Sequence, residues 1–400
     1  MSKNIVFCAD GTWNGPGEAD TDPKNAEWTN VFKLFLNLAG AFSPGSTLLE
    51  KEQEKTLLSA SNTVEQVAKY LHGVGDSDNF LVKLLGGGLG TGLITRIVRG
   101  YTFVSRNYRA GDKIFLIGFS RGAYTARALA GLIANRGLLD ATKLDLDDKE
   151  KAYRLGAAVW YQYRQHAMSA SGHGNLLSDL ANAILDLPGF FTHPPANNKL
   201  IAAPIEAVGV WDTVGALGIP AYTATMVRAD LFQFSDTKLS PVVKNGFQAI
   251  AVDERRADFT PTFWDPDNRV VQALFPGAHG DVGGGYPRAG NESGLSDRTL
   301  EWMTAQLAGV GVLFAGTPTV DIHPDFKGVA HMPWNDPPFL LLPQGPRTFV
   351  PGYRLANFVL SRMGAGPVFA NPGLAAVAYS PTNLNAYVAG TVAAQGVLLV

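Results

Sequence analysis

The chain has 400 residues, 46% of them hydrophobic and only 17% charged, with a net charge of −2. That apolar content can bury a large core. The lack of any basic stripe argues against nucleic acid as a partner, and no stretch reaches the roughly 18 consecutive apolar residues of a membrane-crossing helix. The single cysteine, Cys8, has no mate for an internal disulfide and reads as a small core residue. The first ten residues hold too short an apolar run for a signal peptide, so a cytoplasmic site of synthesis is expected.

In chain order, Asn4–Ala9 reads as a buried strand ending at the polar, glycine-rich run Asp10-Gly11-Thr12-Trp13-Asn14-Gly15. Thr29–Phe42 carries Val31, Leu34, Phe35, Leu38 and Phe42 at helical spacing. Thr63–Gly73 is a shorter strand or helix, and the cluster Gly86–Gly92 precedes a helix predicted from Leu93 to Tyr108. An apolar strand at Lys113–Phe119 then passes through Gly118-Phe119-Ser120-Arg121-Gly122 into a small-residue helix over Arg121–Ala134. Residues 140–200 and 220–245 read as cap insertions. Strands at Ile205–Trp211, Phe247–Val252 and Val270–Phe275 each lead to polar residues: Asp212, Asp253, and the glycine-rich run holding His279 and Asp281. An amphipathic helix over Leu295–Leu307 follows. Residues 315–400 show no clear periodicity and read as an irregular C-terminal segment that packs on the domain or forms part of its cap.

Strands separated by helices predict a mostly parallel sheet covered on both faces. Active sites of such sheets lie at the C-terminal ends of the strands, which is where Asp10, Ser120, Asp212, Asp253 and His279 fall. G-x-S-x-G between a strand and a helix is the pattern of a nucleophile elbow. The turn exposes Ser120 and sets it at a helix N-terminus, where free N–H groups favour negative charge. Acyl transfer by serine also needs a base and a carboxylate that orients it. His279, in a glycine-rich turn after a strand, is the base candidate. Asp212 is the first choice of carboxylate because it ends a buried strand. Asp253, with an ion pair to its Arg neighbours as the ordinary explanation, and Asp281, two residues from His279, remain alternatives.

The order Ser–Asp–His is that of alpha/beta hydrolases, so one such domain over residues 1–400 is expected. Its oxyanion hole takes the backbone N–H of Arg121 and a second N–H from Gly11 or Thr12, with Asp10 as a supporting turn residue. The glycine cluster lacks the Lys-Ser/Thr ending of a phosphate loop and reads as part of an acyl or head-group pocket. Asp10, Asp253 and Asp281 show no metal-ligand spacing, so neither a metal nor a cofactor is expected. Aromatic residues of the insertions (Trp160, Phe190, Phe191, Phe232, Phe234) suggest a hydrophobic acyl pocket, or ordinary cap packing.

Five blocks carry a family resemblance: Phe7–Asn14, His72–Gly75, Gly118–Arg127, Gly209–Gly215 and Phe275–Tyr286. Together they resemble the type VI secretion phospholipase-effector alpha/beta-hydrolase domain, in register over roughly residues 4–290. The resemblance implies a serine lipase, often a phospholipase A, with its triad falling on Ser120, Asp212 and His279. It further implies lipid esters as substrates, a membrane surface and a secretion or immunity protein as partners, and export that needs no signal peptide. Two rival readings keep the same residues: an acyltransferase with an alcohol in place of water, and a non-catalytic binding protein of a secretion system.

Overall fold

The computed structural model describes residues 2–11, 26–44, 52–73, 89–170, 193–214, 221–222, 228–229, 237–337, 339–341, 343–349 and 352–384. Its centre is one nine-stranded sheet of β1 (Asn4–Ala9), β2 (Ala41–Phe42), β3 (Glu52–Leu58), β4 (Val64–Leu71), β5 (Lys113–Phe119), β6 (Ile205–Trp211), β7 (Val243–Ala251), β8 (Val270–Phe275) and β9 (Arg354–Leu355). The strands lie in the order β9-β8-β7-β6-β5-β1-β4-β3-β2. From β9 to β4 every pairing is parallel, and β3 and β2 close the far edge antiparallel.

Helices α1 (Asn30–Asn37), α2 (Leu89–Asn107), α3 (Arg121–Arg136), α4 (Lys149–Ala170), α5 (His279–Gly283), α6 (Gly294–Gly309) and α7 (Asn357–Gly364) accompany the sheet. Alternation along each strand sorts the core into two layers. Ile5, Phe7, Ile114, Leu116, Val208 and Val210 share one layer with α2, α3 and α4. Val6, Cys8, Phe115, Ile117, Ala207 and Trp211 share the other with α1, α6 and α7. Burial on both faces is why β1 and β5 read as continuous apolar runs. The result is a mixed α/β architecture with a large, mostly parallel sheet between helical layers.

Several elements depart from the sequence reading. Thr29 is the cap of α1 rather than part of it, its hydroxyl accepting from the Phe32 N–H, and the helix stops at Asn37. Phe42 belongs to β2. Val64–Leu71 is a strand, paired with Glu52–Leu58, which carries no apolar pattern and was not expected as a strand. Its charges are matched instead: Lys69 on β4 bonds Glu52 at 2.8 Å and Glu54 at 3.0 Å. Within the expected first insertion, α4 packs Ala152, Ala157, Val159 and Trp160 into the sheet-facing core, so Trp160 is a core residue. Leu89–Gly92, the end of the glycine cluster, lie inside α2. Residues 81–88, and Phe190, Phe191, Phe232 and Phe234, lie outside the described residues. The C-terminal segment supplies β9 to the sheet and α7 to the core.

Candidate active site

β5 ends at Phe119 and α3 begins at Arg121, which leaves Ser120 alone at the corner. Its backbone has φ 56° and ψ −121°, a region that residues with a Cβ occupy only under constraint. The two flanking glycines show why the corner is so tight. A Cβ on Gly118 would lie 2.3 Å from the Gly122 carbonyl oxygen, and one on Gly122 would lie 2.0 Å from the Ala9 carbonyl oxygen. The Ser120 N–H donates to the Trp211 carbonyl at 3.1 Å, tying the corner to the end of β6.

His279 opens the one-turn helix α5 just after β8. Its Nδ1 lies 2.6 Å from Asp212 Oδ2, while Nε2 is buried without a hydrogen-bond partner among the described residues. The imidazole packs against the ring of Phe119, the residue before Ser120, at 4.6 Å, and meets the edge of Phe259 at 5.0 Å. Phe119 pairs with Trp211 across β5 and β6, so Ser120, Asp212 and His279 gather at one edge of the sheet. Burial pushes the His279 pKa down, against the opposing pull of Asp212. The downward direction favours the neutral ring, the form that a general base requires.

Asp212 is fully buried, in a left-handed backbone conformation with φ 35°. Its Oδ1 accepts from the Ala251 N–H at 3.0 Å and from Arg347 Nη1 at 2.7 Å. Its Oδ2 accepts from Arg347 Nη2 at 2.9 Å as well as from His279. Burial alone would raise this carboxyl, but the Arg347 guanidinium and the His279 hydrogen bond hold it well below the usual carboxylate range.

The alternative carboxylates face elsewhere. Asp253 accepts from the Gly277 N–H at 2.6 Å and from the Tyr379 hydroxyl at 2.9 Å, and burial pushes its pKa up to about 6. Asp281 caps the start of α5 through the Ala278 N–H at 2.8 Å, and bonds His331 Nδ1 at 2.6 Å. Asp10 accepts from the hydroxyls of Thr29 and Tyr70, both at 2.7 Å, and from the Gly11 N–H at 2.7 Å. Burial pushes its pKa, too, up to about 6. The Gly11 N–H thus has an acceptor inside its own turn, and Thr12, the other donor expected from this loop, lies outside the described residues. The Arg121 N–H sits in the first turn of α3, where a helix supplies no acceptor of its own.

Four residues near the site were missed in the sequence. Glu254 accepts the His279 backbone N–H at 3.2 Å and is held by Arg256 Nη2 at 2.8 Å. The others, His331, Arg347 and Tyr379, all come from the C-terminal segment. A strand-end Asp-Glu-Arg-Arg could have signalled Glu254. Nothing local marks the other three, whose partners lie 50, 135 and 126 residues away.

A family model described as "T6SS, Phospholipase effector Tle1-like, catalytic domain" matches residues 3–306. The chain belongs to this family. The matched span holds Ser120, Asp212 and His279 and ends before His331, Arg347 and Tyr379. Among curated proteins, the chain is similar to "Uncharacterized protein YEL023C" of Saccharomyces cerevisiae, 25% identical over 277 residues, covering 66% of this chain and 33% of the relative. Among solved structures, it is similar to an uncharacterized protein from Pseudomonas aeruginosa (TM-score 0.41, 17% identity, 82% of this chain and 49% of that one). It is also similar to the Tle1 effector bound to the VgrG spike of the type 6 secretion system (TM-score 0.35, 20% identity, 72% of this chain and 51% of that one). The chain thus spans about a third of the yeast relative and about half of each of the two solved chains. Among the described residues of this phospholipase-effector family member, no helix is long and apolar enough to cross a membrane. Nor does any group of three or more His, Cys, Asp or Glu converge as metal ligands there.

Proposed function

We propose that this chain is a serine hydrolase of carboxylic esters on an alpha/beta-hydrolase fold, acting on lipid and above all phospholipid esters. The observation that carries this reading is the strained backbone of Ser120 at a strand-to-helix corner, whose preceding residue Phe119 packs on a buried imidazole that is held at Nδ1 by a carboxylate and has no partner at Nε2 among the described residues. Ser120 Oγ attacks the ester carbonyl carbon as His279 Nε2 takes its proton, and Asp212 keeps the remaining imidazole proton on Nδ1. The N–H of Arg121, with a second N–H from Gly11 or Thr12 in the loop after β1, receives the charge that develops on the carbonyl oxygen. Collapse of the tetrahedral intermediate breaks the bond to the alcohol, which leaves with the proton from His279. Water then enters, gives its proton to the same nitrogen, and releases the fatty acid and the free Ser120 hydroxyl. The open Nε2 fits a resting enzyme, since catalytic hydrogen bonds often tighten only when substrate is bound.

Family membership supports phospholipid as the substrate class and a secretion-system protein as a partner. Aromatic rings beside the imidazole support an acyl chain: Phe259 touches both His279 and Phe339, with the Arg256 guanidinium over the two phenyl rings. The side chain of Leu341, close in sequence to Phe339, is 92% exposed. The test is covalent labelling with a fluorophosphonate probe, alongside release of fatty acid from defined phospholipids. Wild type labels, and Ser120→Ala loses the label and about 10⁴–10⁶ in hydrolysis while staying folded. A folded wild-type protein whose Ser120 never reacts would favour the binding-protein reading, and acyl transfer to added alcohol in preference to water would favour the acyltransferase.

A further inference from the structure

We infer that Arg347 is a positioning residue for the reaction proposed above, acting through Asp212: it keeps that carboxylate ionised and aimed, so that His279 presents a bare Nε2 to Ser120. The inference rests on the hydrolase reading for its meaning and on geometry for its content. Arg347 is buried and reaches both oxygens of Asp212, at 2.7 and 2.9 Å. The same guanidinium donates to the carbonyl oxygens of Ala251 at 2.7 Å and of Phe259. It therefore joins three things: the carboxylate, the end of β7, and the loop whose Phe259 ring touches the imidazole. A planar fork fits this task and an ammonium does not.

The charge count shows what Arg347 does for the base. The ionised groups around the dyad are Arg347 from the C-terminal segment, Glu254 and Arg256 after β7, and Asp281 on α5. Glu254 and Arg256 neutralise each other at 2.8 Å, and Asp281 is occupied by His331 and the Ala278 N–H. That leaves Arg347, Asp212 and His279. With Arg347 present, a proton on the dyad takes this trio from neutral to a buried positive charge. Without it, the same proton takes the pair from negative to neutral. Removing Arg347 must make protonation easier, whichever of the two partners holds the proton.

This segment also anchors itself beside each of the other carboxylates, His331 on Asp281 and Tyr379 on Asp253. Arg347 is thus delivered from outside the family-matched span by a segment bound to the same sheet edge.

The experiment uses full-length Arg347→Met and Arg347→Lys, with histidine ¹⁵N NMR of His279 across a pH series. The pH profile of kcat/KM on a soluble ester is recorded in parallel. In Arg347→Met, the His279 midpoint and the acid limb both move up by about 1–2 pH units. Its kcat falls about 10–100-fold, as for other residues that orient a catalytic side chain, with KM little changed. Arg347→Lys keeps the wild-type midpoint but not the fork, so its kcat is about tenfold low, and free guanidinium restores part of the loss in Arg347→Met. A merely structural arginine would lower stability and leave the midpoint in place, and an unmoved midpoint overturns the inference. If Arg347→Met fails to fold, wild-type kcat in Arg347→Lys overturns it instead. Should wild type hydrolyse no ester at all, the hydrolase reading fails, while the NMR midpoint still decides what Arg347 does to the dyad.

Discussion

Asp212→Asn gives a test in which stability and activity must fall together for separate reasons. The carboxylate receives four hydrogen bonds in a fully buried site, from Ala251 N–H and Arg347 Nη1 on one oxygen and from His279 Nδ1 and Arg347 Nη2 on the other. An amide has one acceptor oxygen and one donor NH₂. If the NH₂ replaces Oδ1, it faces Ala251 N–H and Nη1; if it replaces Oδ2, it faces the imidazole and Nη2. Either way donor meets donor, and Arg347 loses its counter-charge. Breaking a buried ion pair from one side costs about 3–5 kcal/mol. Activity falls where the amide NH₂ takes the place of Oδ2, because it then selects the imidazole tautomer with its proton on Nε2, a loss of about 10³–10⁴, or roughly 4–5.5 kcal/mol of barrier. The double variant Asp212→Asn/Arg347→Met removes the stranded cation, so most of the stability returns and the activity does not. Urea denaturation and ester hydrolysis on the same samples read both effects. An Asn variant within about 0.5 kcal/mol of wild type, the spread of ordinary surface changes, would refute the buried-pair reasoning.

Ser120→Gly relieves a backbone conformation worth about 1–3 kcal/mol of strain at an entropic cost of about 0.5–1 kcal/mol. The variant is expected to be about 1 kcal/mol more stable in denaturation and wholly inactive; lower stability than wild type would show the corner is not strained. Gly122→Ala places a methyl group 2.0 Å from the Ala9 carbonyl oxygen and 2.6 Å from that of Asp10, both backbone atoms of the β1 end. It is expected to cost about 3 kcal/mol, against no loss for Gly309→Ala, where a Cβ meets nothing within 4 Å; equal melting temperatures for the two would count against the elbow packing. Burial lowers the His331 pKa, but Asp281 and Glu292 outweigh it and the net direction is up. The stability this raised pKa contributes is fully present below the unfolded value of about 6.5 and is lost as pH rises through the folded value. His331→Gln is therefore expected to cost more near pH 6 than near pH 9, and a pH-independent cost would show that His331 is not charged in the folded protein.

Continuous apolar runs made β1, β5, β6 and β8 readable, because a parallel strand buried on both faces has no solvent side to interrupt it. The elbow was readable for a local reason: two glycines and a serine between strand and helix form a motif closed within five residues. The Glu52–Leu58 strand was not, since its charged side chains find their partners on β4 and nothing in their own order announces pairing. Length and composition were equally silent about the C-terminal segment, whose β9 is two residues long.

The chain by itself set the position of Ser120, the strand ends that bear Asp10, Asp212, Asp253 and His279, and the layered α/β class, all consequences of local pattern. Only the tertiary structure decided which of three acids faces the imidazole, and that Arg347, 135 residues beyond Asp212, completes its hydrogen bonding. The physical reason is that a backbone motif is specified by neighbours in sequence. The choice of partner for a buried charge is instead made by desolvation, which forces each carboxylate to take whatever donors the folded chain brings within about 3 Å.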